Sequence, residues 1–564
     1  MRVNKMQPDK KTDAPLGKLF YIIMRTLAGT EAMNAALFAT FEGELRNFFT
    51  NQKNQEIRLY FGYSQNFGHR ATTVNLMYRL LTYFPANIPR TIRIIYDIDS
   101  DNAEGPTPPE VKTAFCTVLS KLIPGLTYDT VFNAQPFLLT QSGYPSVTLQ
   151  FNAYNPGDDD QPFDPPLTTA CYFAITGGFD DSKNDTGPLQ VKCLLSLQPY
   201  QFVKSNALNT LYFPSSDAEG ILLGPRYNEA GTKPIEGKKG IFGLTYTKRA
   251  YYTPDPNITQ TLWDLFQTAE PQKYAVVQKL IQLQSQNQCQ LMPLYYSQGR
   301  IWGSTADVLF NMTEGLFRMK VLHNLTPNKC SVVIVFGGIS NLEYNSFTRF
   351  VNMQDNLEDY PRLSAYLQQQ VVRNRYTNRM RILPPTAAPD VIEAAVTTVG
   401  PEGVVFVNLG SVPQYIFNLL FFGADLPAVF EGEGSASMIL NAGIPFIHLV
   451  STDVQFVDNA DAERKINQLY PTIPLYAANN AVALQCHLDS LNMLAEPQEW
   501  EEALDKDRET PGDVIGQFIY DSYTEGTQKY TYFLSMRPFF HDPKNDKLMM
   551  ALMYTLGRIF GLQE

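Results

Sequence analysis

The chain alternates between short apolar runs and longer stretches in which apolar residues recur every three or four positions. Short apolar runs are typical of buried strands, and the longer spacing predicts amphipathic helices. Strands are predicted at residues 57–63 and 91–98, each followed by a helix, and a second β-α series begins at residue 331. This order predicts an α/β protein with two Rossmann-like, doubly wound domains that face each other across a cleft.

The region between residues 125 and 300 breaks this regular order. Its strand candidates are separated by long connections rich in polar residues, proline and glycine, and they lie at residues 147–153, 169–175, 189–197 and 290–296. We interpret the connections as surface insertions, because long loops are uncommon inside a compact domain. The predicted divisions are a helical segment (1–50), a first Rossmann-like domain with insertions (51–325), a second Rossmann-like domain (326–530) and a C-terminal helix (531–564), with packing of that helix on the first domain as one option.

The most informative stretch is Phe-Glu-Gly-Glu-Gly-Ser-Ala-Ser at residues 430–437. It follows an apolar strand predicted at 426–430 and precedes about two helical turns that end at Gly443. A glycine-rich turn between a strand and a helix presents backbone N–H groups and the positive end of the helix dipole to an anion. The candidates for binding a diphosphate are Gly434, Ser435, Ala436 and Ser437.

The same turn also has an ordinary structural explanation, in which Ser435 or Ser437 caps the helix and the glycines permit a tight turn. Glu433 favours a particular ligand over a bare phosphate. A carboxylate beside a diphosphate is repelled unless it accepts hydrogen bonds from the backbone, a sugar hydroxyl or a base ring. We therefore interpret Glu433 as a residue that contacts a nucleotide sugar.

The first half of the chain contains a candidate catalytic histidine. His69 ends the predicted loop at residues 64–69, after the first strand, where ligands bind in open α/β sheets. An imidazole at such a place can act as a general base near neutral pH, although a capping or core histidine is the alternative. Asp97 and Asp99 lie at the end of the second strand; they resemble a metal-binding Asp-x-Asp pair, but a polar strand end followed by a turn is the favoured explanation.

Composition narrows the possible functions. A net charge of −11 argues against a broad nucleic-acid-binding surface, which needs a basic face. The six cysteines include no Cys-x-x-Cys pair, so buried reduced thiols are expected rather than a zinc site. We find no signal peptide and no apolar stretch long enough to span a membrane, which predicts a cytoplasmic protein, with signal-independent export left open.

Two Rossmann-like halves, a histidine after the first strand and a glycine- and serine-containing helix start in the second half resemble GT-B glycosyltransferases. The second half is similar to one family of that class, the protein-arginine rhamnosyltransferases that modify elongation factor P. The positions that carry this similarity are Leu419-Leu420, Ala424-Asp425-Leu426, Gly432-Glu433, Ser435, Ala442-Gly443, Pro445-Phe446, Asp461-Ala462 and Lys465-Ile466. In the first half, Asn66-Phe67-Gly68 matches part of the family's N-terminal motif.

The resemblance implies a GT-B fold with an acceptor domain (51–325) and a nucleotide-sugar domain (326–530). It implies an inverting, metal-independent transfer from a dTDP-, UDP- or GDP-linked sugar to a protein or other acceptor, without a further cofactor. His69 is the expected base, helped by Asp97 or Asp99. Residues 433–437 are the expected donor site, and Phe406 and Asn408 are expected to hold the nucleobase.

The chain departs from that family at several motif positions. Two aspartates of the N-terminal motif are replaced by Gln65 and His69, and Glu431 and Gly434 replace an arginine and an aspartate in the donor segment. A single imidazole suits the deprotonation of a hydroxyl better than the binding of a guanidinium. Two other interpretations stay open: a catalytically inactive GT-B scaffold that binds a partner, and a sugar-phosphate epimerase of the same two-domain plan.

Overall fold

The structure is a computed structural model. It describes residues 55–62, 67–83, 89–97, 109–133, 135–140, 146–155, 161–169, 171, 173–176, 189, 191, 193–196, 210–212, 221–222, 258–295, 305–323, 329–337, 339–354, 357–430, 435, 438–439, 442–449, 489 and 492–541. The helical segment predicted at residues 1–50 lies outside these ranges, as do residues 542–564 of the predicted C-terminal helix.

Internal contacts divide the chain into two units, one of Met1–Tyr252 with Phe540–Glu564 and one of Thr253–Phe539. In its described part, each unit is built on one mostly parallel sheet with helices between the strands. The predicted α/β class with two Rossmann-like sheets is thus confirmed. No helix within the described ranges is long and apolar enough to cross a bilayer.

The first unit has a nine-stranded sheet in the described ranges, in the order β3-β4-β2-β1-β6-β7-β8-β9 with β5 beside β4. Its strands are β1 (Glu56–Phe61), β2 (Thr91–Tyr96), β3 (Phe137–Leu139), β4 (Val147–Tyr154), β5 (Phe163–Asp164), β6 (Phe173–Thr176), β7 (Cys193–Ser196), β8 (Thr210–Tyr212) and β9 (Ile221–Leu222). Its helices are α1 (Phe67–Tyr83), α2 (Pro109–Leu122) and α3 (Tyr128–Phe132). The central strand β1 pairs in parallel with β2 on one side and β6 on the other.

A buried ionic network holds the amino ends of the first unit's central strands together. Both carboxylate oxygens of Glu56 accept hydrogen bonds from Arg93 Nε at 2.8 Å, and one also accepts from Arg58 Nε at 2.8 Å. Arg58 then donates to the carbonyl oxygens of Leu189 at 2.5 Å and Thr169 at 2.6 Å. A buried charge is tolerated when it is paired and its remaining donors are satisfied, and both arginines meet this condition.

The second unit has a six-stranded parallel sheet in its described part, in the order β12-β13-β11-β10-β14-β15. Its strands are β10 (Cys289–Tyr295), β11 (Cys330–Phe336), β12 (Met380–Leu383), β13 (Val404–Asn408), β14 (Ala428–Phe430) and β15 (Phe446–His448). Its helices are α4 (Gln260–Ala269), α5 (Pro271–Ser285), α6 (Thr305–His323), α7 (Asn341–Val351), α8 (Pro361–Gln368), α9 (Gln370–Arg379), α10 (Pro389–Val399), α11 (Gln414–Phe422), α12 (Pro497–Asp505), α13 (Pro511–Tyr523) and α14 (Gln528–His541).

The boundary predicted between residues 325 and 326 has to be moved towards the N-terminus. Strand β10 lies at the centre of the second sheet, where it pairs with β11 over its whole length and with β14 at its carboxyl end. Helices α4 to α6 also belong to this unit, which begins at Thr253. The predicted boundary between residues 530 and 531 falls inside α14, whose Phe533 ring packs 5.5 Å from that of Phe446 in β15.

Helices α6 and α13 approach each other closely because both carry glycine at the contact. A Cβ atom on Gly315 would overlap the side chain of Ile515, and one on Gly516 would lie 3.0 Å from Cβ of Arg318. Helices can approach this closely only where side chains are absent, because ridges of one helix must fit grooves of the other. The aromatic side chains of α6, Phe310 and Phe317, pack instead against rings of α7, α9 and α12.

Gly315→Ala is expected to destabilise the protein. Alanine in place of a helical glycine normally stabilises by about 0.5–1 kcal/mol, but overpacking a close contact costs about 1–3 kcal/mol. The variant should therefore unfold at a lower temperature than the parent chain in thermal denaturation followed by circular dichroism. Gln282→Ala, an exposed position in α5, is the control and should not lower the melting temperature. A raised melting temperature for Gly315→Ala would contradict the packing described here.

Candidate functional site

The strand order of the second sheet reverses between β10 and β14. From β10 the chain adds β11, β12 and β13 on one side, and it then crosses to the other side to add β14 and β15. Connections from the two neighbouring strands therefore diverge, and the carboxyl ends of β10 and β14 border the crevice in which ligands bind in open α/β sheets. The residues that follow these ends are 296–304 after β10 and 431–437 after β14.

Residues 431–437, called the glycine-rich turn below, come directly after β14 at this reversal. Ser435 is helical and half-buried, and Met438, Ile439 and Ala442 continue the helix with their side chains buried. Gly443, with φ of 64°, donates its N–H to Ile439 O at 3.0 Å. The predicted strand, short helix and glycine C-terminus are confirmed here, whereas Glu433, Gly434, Ala436 and Ser437, and with them most of the predicted turn, lie outside the described residues.

An aromatic ring and an imidazole ring lie side by side at the carboxyl ends of β14 and β15. Phe430 and His448 are register partners on β14 and β15, and their rings stack 5.0 Å apart at 30°. Both residues are buried, and Leu449 N–H donates to Phe430 O at 2.8 Å. His448 therefore belongs to a buried strand. The last residue before the turn therefore has a fixed side chain.

Phe406 is a core residue and does not serve a nucleobase site. Its side chain is 0% exposed, and its ring packs 6.4 Å from Tyr344 and 6.2 Å from Phe347, both on α7. A ring covered by a helix cannot stack on a ligand without unpacking the core. Asn408 does reach the carboxyl end of β13, but it is buried and donates through Nδ2 to Ile339 O at 3.1 Å. It holds the loop after β11.

Asp425, one of the positions that carry the family resemblance, has a structural role. One carboxylate oxygen accepts from Leu291 N–H at 2.9 Å and from Gln284 Nε2 at 2.8 Å. In return, the N–H groups of Asp425 and Leu426 donate to Leu291 O at 3.0 and 3.1 Å. These bonds join the amino end of β14 to β10, at the edge opposite the glycine-rich turn.

A carboxylate that we did not single out from the sequence joins two helix N-termini at the carboxyl edge of the second sheet. Glu343 in α7 accepts from Ser340 N at 2.7 Å, from Ser340 Oγ at 2.8 Å and from Thr305 Oγ1 at 2.5 Å. Thr305 is the first residue of α6. The Ser-x-x-Glu capping-box pattern at residues 340–343 was the sequence signal for this contact and for α7.

His69 and Asp97 come to the same edge of the first sheet. His69 is the third residue of α1, which follows β1, and Asp97 directly follows β2, its parallel neighbour. Asp97 N–H donates to Phe61 O at 2.9 Å, and both Asp97 and His69 are half-buried. The loop predicted at residues 64–69 is wrong from Phe67 onward, because α1 begins there. Asp99 lies outside the described residues.

Arg70 stands beside His69 in α1 and was missed in the sequence. Its guanidinium carbon lies 4.9 Å from the centre of the Phe115 ring, its Nε atom is buried without a hydrogen-bond partner, and burial lowers its pKa. The first turn of α1 contains no acidic residue, although acids are favoured at helix N-termini. A helix start with an arginine and no acidic residue was the sequence signal that could have drawn attention to Arg70.

No protein-family model and no curated protein matches this chain. Within the described residues, no group of three or more His, Cys, Asp or Glu side chains could hold a metal ion. The four cysteines whose burial is described, at positions 116, 171, 289 and 330, are free thiols in the interior.

Asp425→Ala is expected to reduce stability without changing nucleotide binding. It leaves the Leu291 N–H and the Gln284 amide without their acceptor, at a cost of about 1–3 kcal/mol in the free energy of unfolding. Urea denaturation and calorimetric titration with UDP, GDP and dTDP measure the two effects separately. Asp264→Ala, an exposed carboxylate on α4, is the control for stability. A loss of nucleotide affinity with unchanged stability would show that Asp425 contacts the ligand instead.

Proposed function

We propose that this protein is a glycosyltransferase that moves a sugar from a nucleotide-diphosphate sugar to a protein or other acceptor. The observation that supports this proposal most strongly is the place of the glycine-rich turn. It follows β14 where the strand order of a six-stranded parallel sheet reverses, the position at which open α/β sheets bind nucleotides. The proposed class is GT-B, since two Rossmann-like sheets are present.

The donor site in this proposal consists of the turn and the helix that it opens. Backbone N–H groups of Gly434, Ser435, Ala436 and Ser437, with the two hydroxyls, bind the diphosphate, and the positive helix end stabilises its charge. Negative charge grows on the diphosphate as the bond to the sugar breaks. Donors oriented before the reaction then bind the transition state better than the ground state, which is how they accelerate transfer.

Two carboxylates restrict which part of the donor can lie near them. Glu431 and Glu433 in the same turn disfavour a bare anion, and they fit the hydroxyl groups of a sugar or ribose, which donate hydrogen bonds to carboxylates. In the proposal Glu433 contacts the sugar. The nucleobase takes no contact from Phe406, whose ring is enclosed in the core.

The acceptor chemistry is assigned to the first unit. His69, in the first turn of α1, takes the proton from an acceptor hydroxyl while that oxygen attacks the anomeric carbon and the nucleoside diphosphate leaves. Asp97, at the end of the neighbouring strand, supports the imidazolium that forms. Asp99 is the second acidic candidate for that support. Direct attack of the acceptor on the sugar predicts inversion at the anomeric carbon.

The donor site is tested by removing its side-chain groups together. Glu433→Ala with Ser435→Ala is expected to weaken binding of the preferred nucleotide about tenfold or more in isothermal titration calorimetry, because hydrogen bonds involving charged groups contribute about 1.5–3 kcal/mol each. The control has the same composition but lies elsewhere on the unit: Glu393→Ala with Ser285→Ala, on α10 and at the end of α5. Equal affinities for the two double variants would overturn the donor-site assignment.

The base is tested by His69→Ala. The variant is expected to keep nucleotide binding and to lose transfer by about a hundredfold or more, the usual contribution of general-base catalysis. Release of nucleoside diphosphate from a panel of nucleotide sugars, with and without acceptor, measures the rate. His323→Ala, at the last residue of α6, is the control histidine. Full turnover by His69→Ala would show that another group accepts the proton.

A further inference from the structure

Arg70, a positively charged residue at the carboxyl edge of the first sheet, forms no ion pair with a carboxylate of the described residues. Arg70 is half-buried, and its Nε atom is fully buried with no hydrogen-bond acceptor. In the part of the chain that the structure describes, no carboxylate lies within 4.0 Å of its guanidinium. The arginines at the opposite edge of the same sheet differ, since Arg58 and Arg93 both pair with Glu56. A partly desolvated cation without a counter-ion raises the electrostatic energy of the ligand-free protein.

The guanidinium of Arg70 is held in place by an aromatic platform. It lies over the ring of Phe115, which is 3% exposed and itself packs against Tyr96 at 5.4 Å and Phe132 at 6.3 Å. A cation–π contact orients the guanidinium but leaves its hydrogen-bond donors unused. The side chain is therefore positioned, and its charge is not neutralised.

The surroundings of Arg70 add to its positive potential. It lies in the first turn of α1, a 17-residue helix whose N-terminal dipole end is also positive, and that turn has no acidic residue. His69 precedes it, and a protonated imidazole would add a further charge. A cation at a helix N-terminus is unfavourable by itself, and a bound anion reverses this.

The topology places this group where ligands bind. The strand order of the first sheet reverses between β1 and β6, as it does between β10 and β14 in the second sheet. Helix α1 leaves the carboxyl end of β1, so its first turn, which contains His69 and Arg70, lies at the carboxyl edge of the sheet next to that reversal. The Arg70 guanidinium extends from this turn towards α2, where it lies over Phe115.

We propose that Arg70 is the centre of a second ligand site, which binds an oxyanion of its ligand, a carboxylate or a phosphate group, at the carboxyl end of β1. Arg70 supplies the N–H donors and the first turn of α1 supplies the dipole. This site belongs to the first unit and is separate from the donor site proposed at the glycine-rich turn. It stands independently of the glycosyl-transfer proposal, because it rests on the charges around α1.

The test titrates the full chain with sodium phosphate and, separately, sodium succinate at constant ionic strength, by calorimetry and thermal shift. Saturable binding is expected for at least one anion, weakened about tenfold or more by Arg70→Gln and retained in part by Arg70→Lys. Arg90→Gln, an exposed arginine just before β2 at the opposite edge, is the matched control and should bind as the parent chain does. Binding of phosphate alone indicates a phosphorylated ligand, and binding of succinate indicates an organic acid; both support the site.

The donor-site variant separates this proposal from the previous one. Anion binding that survives Glu433→Ala with Ser435→Ala but is lost in Arg70→Gln supports the site at α1. Binding lost in the first variant and retained in Arg70→Gln would overturn it, as would the absence of saturable binding of either anion to the parent chain. Without anion, Arg70→Gln should keep a melting temperature close to that of the parent. A large fall would identify Arg70 as a packing residue and also overturn the proposal.

Discussion

The right-handed crossover between parallel strands is the constraint on which both sheets depend. In each unit the chain starts at a central strand, β1 or β10, builds the sheet on one side and then crosses to the other. Crossovers between parallel strands are almost always right-handed, so a change of direction along a sheet places the connecting helices on opposite faces. It also makes the connections of one pair of neighbouring strands diverge, which leaves a crevice at their carboxyl ends. The location of both candidate sites is thus a consequence of strand order.

Polar groups that stabilise the fold lie at the amino edges of the same sheets. Glu56 pairs with two arginines at the start of β1, and Asp425 joins β14 to β10 at its start. Lys320 donates to the carbonyl oxygens of Lys329 and Pro401, both at 2.6 Å, before β11 and β13 begin. Glu56 and Lys320 are buried and Asp425 is half-buried, so leaving any of them without its partner would be costly, and the amino edges are fixed. The candidate ligand-binding residues lie at the opposite, carboxyl edges.

Sequence patterns identified the strands well, because a strand buried on both faces is a continuous apolar run. All seven residues of β11 are buried, and the predicted start differs from the observed one by a single residue. The apolar pattern of β10 predicted a strand, but it could not predict which of the two sheets contains that strand. Its partners lie far along the chain, and local periodicity carries no information about pairing. The boundary at 325/326 therefore divided a unit whose central strand lies before it.

The candidate site could be located from the sequence, but the direction of its side chains could not. The turn after β14 was recognisable from its glycines, and its short helix was found as predicted. Phe406 was placed on the correct strand and given the wrong role, because its role depends on α7, which covers it. Ser340 and Glu343 form a capping box, and recognising it in the sequence predicts the start of α7. A helix at this place covers Phe406, which identifies Phe406 as a core residue.

The two strand-order reversals share a topology but differ in the charge of the side chains beside them. This difference in charge distinguishes the ligands that each place favours. The crevice beside β1 has Arg70 and His69 in a first turn without acids, whereas the turn after β14 has two glutamates among its glycines. Backbone N–H groups can bind an anion at either place, so the side chains decide which ligand groups are favoured. Carboxylates favour neighbouring hydroxyl groups, and an unpaired guanidinium favours an oxyanion. The two proposed sites, one in each unit, would therefore take ligands of different chemistry at equivalent places in two sheets of similar topology.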